Sequence, residues 1–147
     1  QPQTPGSKSW GNFWTRICTW GEFQDRATGK RVYFYNTHLS VTSQNARQKS
    51  VEYILNRLQH PAIVVGDFNT NEGNDAVRLM KKSGMRDSFR LKYPRANGST
   101  TRGGSKIDYI FICEEIETIE AEIMRSKYDR KYPSDHFPVN AKVRIKR

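Results

Sequence analysis

At 147 residues the chain fits one domain, long enough to bury about two-thirds of the surface that its unfolded form exposes. Hydrophobic residues make up 35% and charged residues 27%, and no apolar run approaches the ~18 residues of a helical membrane span, so none is expected. The formal charge of +10 favours anionic partners without naming one, because the excess is scattered in small clusters at Lys81-Lys82, Arg125 to Lys131 and Arg144 to Arg147.

The sequence opens on Gln1 with neither a basic stretch nor an apolar signal core, so its native start is expected upstream and its compartment stays open. Residues 1–15, rich in Pro, Gly, Ser and Trp, read as an irregular lead-in. Trp10, Trp14 and Trp20 are expected to pack down rather than stack on a ligand. Residues 17–23 and 31–37 are dense in β-branched and aromatic side chains around a Gly29-containing turn, which predicts a hairpin. Gln44 to Leu58 places Val51, Ile54, Leu55 and Leu58 on one stripe of a helix, with Ser43 as N-cap and Pro61 beyond its end. Ile63-Val64-Val65 is a short continuous apolar run, as in a strand buried on both faces. Asn74 to Ser83 predicts a second helix, capped by Asn74 and stopped by Gly84. Arg86 to Gly104, broken by Pro94, Gly98, Gly103 and Gly104, reads as a long polar loop. Ile107 to Cys113 and Val139 to Ile145 complete the strands. This order implies an α/β chain on one mixed β-sheet, with helices on one face and no cover for the other beyond loops. Cys18 and Cys113 lie in apolar strands without metal-ligand spacing, and are read as buried free thiols.

Four segments carry chemistry. Asp108 stands in a strand otherwise apolar on both faces, where an ionised carboxylate needs a cationic or protonatable partner; an arginine or lysine would serve structurally. In Ser134-Asp135-His136-Phe137-Pro138-Val139 the acid and imidazole are adjacent, so in an extended segment they face opposite sides and take different partners. A carboxylate on one nitrogen of His136 would fix its tautomer and raise its basicity, and Asp108 is the candidate. In Val65-Gly66-Asp67-Phe68-Asn69 an acid and an amide two residues apart follow the buried strand; they can share a crevice at its carboxyl end or form an Asx turn. His38, in Asn36-Thr37-His38-Leu39, ends another strand. His60, before Pro61, is given no role.

Taken in order, these four segments resemble the second half of the endonuclease/exonuclease/phosphatase superfamily, the deoxyribonuclease I-like group, over nearly the whole chain. The resemblance implies half of a four-layer α/β/β/α sandwich, with residues 1–147 as a single domain equivalent to the C-terminal half. It implies hydrolysis of phosphate esters, whether phosphodiesterase, nuclease or phosphatase, assisted by Mg²⁺ or Mn²⁺. His136 oriented by Asp108 would act at the attacking water or the phosphate oxygens, and Asp67 would orient the nucleophile. Asn69 would hydrogen-bond the phosphate, His38 would assist the leaving oxygen, and Asp135, with Asp67, would bind or support the metal. Arg102, in the basic loop, is the candidate substrate contact. Family members carry an asparagine and a metal-binding glutamate earlier in the domain, and nothing before His38 matches either. The expected partners are therefore a phosphate ester, nucleic acid among the options, and either an N-terminal half or a second copy against the open sheet face. The alternative is a basic module that binds polyanions at the phosphate site without turnover.

Overall fold

Strands β1 (Cys18–Gln24) and β2 (Arg31–His38) form the expected antiparallel hairpin, with Trp20 opposite Tyr35. Asp25 closes its turn: one carboxylate oxygen accepts the Ala27 N–H at 2.9 Å, the other the Thr28 hydroxyl at 2.6 Å, and Gly29 takes φ 71°. The computed structural model describes residues 2–146; Gln1, and Arg147 of the C-terminal basic cluster, lie outside the described residues.

Helix α1 (Gln44–Leu55) starts where Ser43 accepts the Ala46 N–H at 3.1 Å. It stops at Leu55 rather than Leu58, because the Arg57 and Leu58 N–H groups turn back to the carbonyls of Ile54 and Leu55 in a tightened last turn. Strand β3 (Ala62–Asp67) then lies parallel to β2, and helix α2 (Asp75–Lys82) follows under its Asn74 cap.

The segment expected to be one long loop begins with structure: a two-residue strand β4 (Arg86–Asp87) and a short helix α3 (Ser88–Lys92), whose first turn donates the Phe89 N–H to Asp87 at 3.0 Å. Its polar composition conceals burial. Asp87 and Lys106 form an ion pair at 3.1 Å with side chains 1% and 5% exposed, and Arg90 grips Glu72 at 2.7 Å. Strand β5 (Asp108–Ile112) pairs antiparallel with both β3 and β4, so the main sheet runs β1-β2-β3-β5-β4.

Two further strands depart from expectation. Strand β7 (Val139–Ile145) does not join the main sheet; it pairs with β6 (Ile116–Ile123) in a separate two-stranded sheet. Strand β6 was hidden by its glutamates. Its buried positions are Ile116, Thr118, Ala121 and Ile123, whose alternation slips at an irregularity between Thr118 and Glu120.

The strand register sets the two faces of the main sheet. Tyr35, Val64, Tyr109 and Phe111 share one face and are buried with Val51 and Ile54 of α1 and Val77 and Met80 of α2. Phe34, Ile63, Val65 and Ile110 share the opposite face, where Phe34 is exposed, Val65 and Ile110 are partly buried and Ile63 is buried, with β7 along part of it. The mixed α/β architecture with helices on one face is therefore the expected one. Of the tryptophans, Trp20 stacks on Tyr35 at 6.0 Å and Trp14 meets Phe13 edge-on at 4.7 Å, yet both stay more than half exposed. Both cysteines are free; Cys113 is buried and Cys18 partly so, its thiol pushed up to about 11 by burial.

Candidate active site

The carboxyl end of β3 and the amino end of β5 meet at one rim of the main sheet, because antiparallel pairing sets Asp67 opposite Asp108. Parallel pairing of β2 with β3 sets His38 beside Asp67, with the His38 Nε2 3.4 Å from the Asp67 carboxylate. Gly66 makes this possible. At φ 140° its added Cβ would stand 1.8 Å from the Thr37 carbonyl oxygen, so the close approach it permits is to the neighbouring strand.

His136 arrives from a distant segment. The Phe137 N–H donates to the Thr100 carbonyl at 2.8 Å, and Thr101 and His136 form an isolated bridge. The fully buried Thr100 hydroxyl in turn accepts the N–H groups of Ile107 at 3.0 Å and Asp108 at 3.2 Å. One threonine thus fixes both partners, and the His136 Nδ1 lies 2.9 Å from the Asp108 Oδ2. The Lys106 ammonium donates to the Asp108 main-chain carbonyl at 3.0 Å and packs over the Tyr109 ring at 4.0 Å. Sequence reasoning missed Thr100 and Lys106. A threonine in a polar loop carries no signature, and a lysine between glycines and an apolar strand reads as surface.

Asn69 sits in the left-handed region at φ 49°, donates its N–H to the Asp67 Oδ1 at 2.7 Å and gives one side-chain N–H to the Leu39 carbonyl at 3.0 Å. Of the two alternatives, the Asx turn is formed; Asp67 lines the cleft described below, and Asn69 is not among its lining residues. Asp135 is exposed, accepts the Ser134 hydroxyl at 3.2 Å and is not gathered with the other acids. Its carboxyl is held low by its own backbone N–H and Ser134, with smaller contributions from His136 and Arg102. Arg102 is exposed, its guanidinium 5.7 Å from the Tyr132 ring.

Asp67, Asp108 and His136 each offer a donor atom within 4.8 Å of the others. Burial raises the Asp67 carboxyl above its ordinary value, and the Asp108 charge raises it further against the pull of Asn69, His38 and His136. Two part-buried carboxylates side by side are relieved by a cation, and their oxygens suit a hard divalent ion. The rim opens on a cleft of about 670 Å³, floored by Phe34, Val65 and Ile110.

The profile of the Endonuclease/Exonuclease/phosphatase family matches residues 5–136. No curated protein sequence matches the chain. Among solved structures, a family protein from Bacteroides thetaiotaomicron is 27% identical at TM-score 0.82, covering 93% of this chain and 58% of its own. One from Bacteroides vulgatus is 28% identical at TM-score 0.82, covering 93% and 58%. The mannosyl-6-phosphatase Bt3783 of Bacteroides thetaiotaomicron is 29% identical at TM-score 0.78, covering 95% and 61%. The chain thus spans about three-fifths of the length of these relatives.

Proposed function

Since this chain belongs to the endonuclease/exonuclease/phosphatase family, we propose that its rim hydrolyses phosphate esters with the help of Mg²⁺ or Mn²⁺. The observation that carries the reading is the His136–Asp108 pair at 2.9 Å beside Asp67. By accepting the Nδ1 proton, Asp108 holds the ring in the tautomer whose Nε2 lone pair can take a proton from the attacking water. Asn69 has one side-chain N–H beyond that given to Leu39, and directs it to a phosphate oxygen. His38, with its side chain 57% exposed, donates to the departing oxygen while Asp67 orients its ring. A bound divalent cation supplies positive charge against the charge that builds on the phosphate. Asp67 and Asp108 are the donors that the rim offers it, and Asp135 is assigned a supporting role from outside. Arg102 supplies charge to the anionic substrate.

Residues 1–147 act as one domain, and the apolar surface left on the sheet face opposite the helices supports a complementary piece or a second copy against it. The likeness to a mannosyl-6-phosphatase puts a sugar phosphomonoester first among substrates, ahead of diesters and nucleic acid. Turnover of such a panel with Mg²⁺ or Mn²⁺ tests the proposal. His136→Ala is expected to slow it by about 10²–10⁴-fold, and equal rates for both proteins would remove the assignment. The competing reading, a polyanion-binding module, rests on the +10 charge and requires binding that weakens steeply with salt and ignores the metal.

A further inference from the structure

At the opposite end of the same two central strands, roughly 17 Å along β3 from Asp67 at ~3.3 Å per residue, a second group of donors converges. Cys113 follows β5 and sits beside Ala62, the first residue of β3, donating its N–H to the Ala62 carbonyl at 3.1 Å. His60 precedes β3 and Glu115 lies just beyond Cys113. One donor atom from each of His60, Cys113 and Glu115 lies within 4.8 Å of the others, and the His60 Nδ1 is already 3.6 Å from the Glu115 Oε1. We propose that these three side chains form a binding site for a thiophilic divalent cation of the Zn²⁺ class, separate from the phosphoesterase rim.

The donor set decides the class of ion. Imidazole nitrogen, thiolate sulfur and carboxylate oxygen together are the ligands of Zn²⁺ and its borderline-soft neighbours, whereas Mg²⁺ and Ca²⁺ take oxygen. Three protein ligands leave the fourth tetrahedral position to water. Tetrahedral bonds of ~2.0–2.3 Å put ligand atoms roughly 3.3–3.8 Å apart, so the three donors need only a small inward movement. The site can supply it: Cys113 is a buried anchor at 2% exposure, while His60 and Glu115 are half-exposed arms with room to turn.

A second observation points the same way. The Cys113 Sγ accepts the Ala62 N–H at 3.0 Å, a bond that favours sulfur in its charged, metal-binding form and orients its lone pairs. Without metal, burial and the Glu115 carboxylate keep the thiol protonated, and its hydrogen bond is what chiefly holds Glu115 low. On binding, the thiol proton leaves to solvent and His60 coordinates as the neutral ring. Thiolate and carboxylate then match the two positive charges of the ion. The spacing concealed this site in the sequence, because His60 stands far upstream and only the β3–β5 pairing brings it to Cys113.

Co²⁺ added to the metal-free chain provides the test, because the phosphoesterase rim contains no sulfur. The proposal requires a thiolate-to-cobalt charge-transfer band that Zn²⁺ abolishes by competition, that survives Cys18→Ser and that is lost in Cys113→Ser. His60→Ala and Glu115→Gln alter exposed side chains and keep the fold, and each is expected to weaken Co²⁺ binding by about tenfold or more. No band in excess Co²⁺, or a band of unchanged affinity in His60→Ala, overturns the site. Neither result depends on whether the rim hydrolyses phosphate.

Discussion

At the rim, the least comfortable side chain is Asp67, whose carboxyl is raised by burial and then by Asp108. The folded state holds that proton more tightly than the unfolded chain. The stability Asp67 contributes is therefore fully present below its ordinary value of 3.8 and lost as pH rises through the folded value. In the metal-free protein at neutral pH its charge is a cost. Asp67→Asn keeps an oxygen to accept the Asn69 N–H at 2.7 Å and removes that charge. Urea unfolding at pH 7 without metal should find Asp67→Asn more stable than the parent, with the gap closing below the ordinary value. Mg²⁺ or Mn²⁺ should then stabilise the parent and not the variant. A variant less stable than its parent at pH 7 contradicts the crowding of charge at this rim. The sequence displayed Asp67, Asp108, His38 and His136 openly, because acids and imidazoles at the ends of apolar strands have few reasons to be there. It could not display Thr100, whose hydroxyl holds the Ile107 and Asp108 N–H groups while its carbonyl takes that of Phe137, contacts that exist only once these segments are brought together.

Among the elements, the hairpin, α1, β3, α2 and β5 were legible because each shows its own period and its own cap. Strand β6 and helix α3 were not, since glutamates interrupt one and buried charges disguise the other. The Asp87–Lys106 pair shows the difficulty and offers a test. With side chains 1% and 5% exposed, it ties β4 to the approach of β5, and Lys106→Met would leave a carboxylate buried without its partner. Loss of one member of such a pair costs about 3–5 kcal/mol. Denaturant unfolding should show a shift of that size, whereas a change under 1 kcal/mol would mean that water reaches Asp87 in solution. The β2–β3 pairing rests in the same way on Gly66. Gly66→Ala must move a Cβ that would stand 1.8 Å from the Thr37 carbonyl and also hold φ 140°. A loss of about 3 kcal/mol or more is expected in the same measurement. Separation of β2 from β3 would also part His38 from Asp67, so hydrolysis should fall with stability.

For the whole molecule, the sheet face opposite the helices is the surface without a full cover. The sequence implied that it lacks a cover, and the β6–β7 pair supplies one only in part. Phe23 and Phe34 meet edge-on at 6.4 Å while 58% and 36% exposed, beside part-buried Val65 and Ile110. Among the described residues β7 pairs only with β6, which leaves a strand edge open next to that face. Apolar surface with a free edge favours association, while a charge of +10 on every copy opposes it at low salt. These two tendencies respond to salt in opposite ways. Salt screens the repulsion between copies, so sedimentation should show self-association rising with chain concentration and with ionic strength. Binding to a polyanion should fall over the same range. Phe34→Asp puts a charge on the exposed part of this face and should return the chain to monomer at every salt concentration. A wild-type monomer throughout, even when concentrated in high salt, would show that this face is satisfied within a single copy, and the requirement for a complementary piece would go with it.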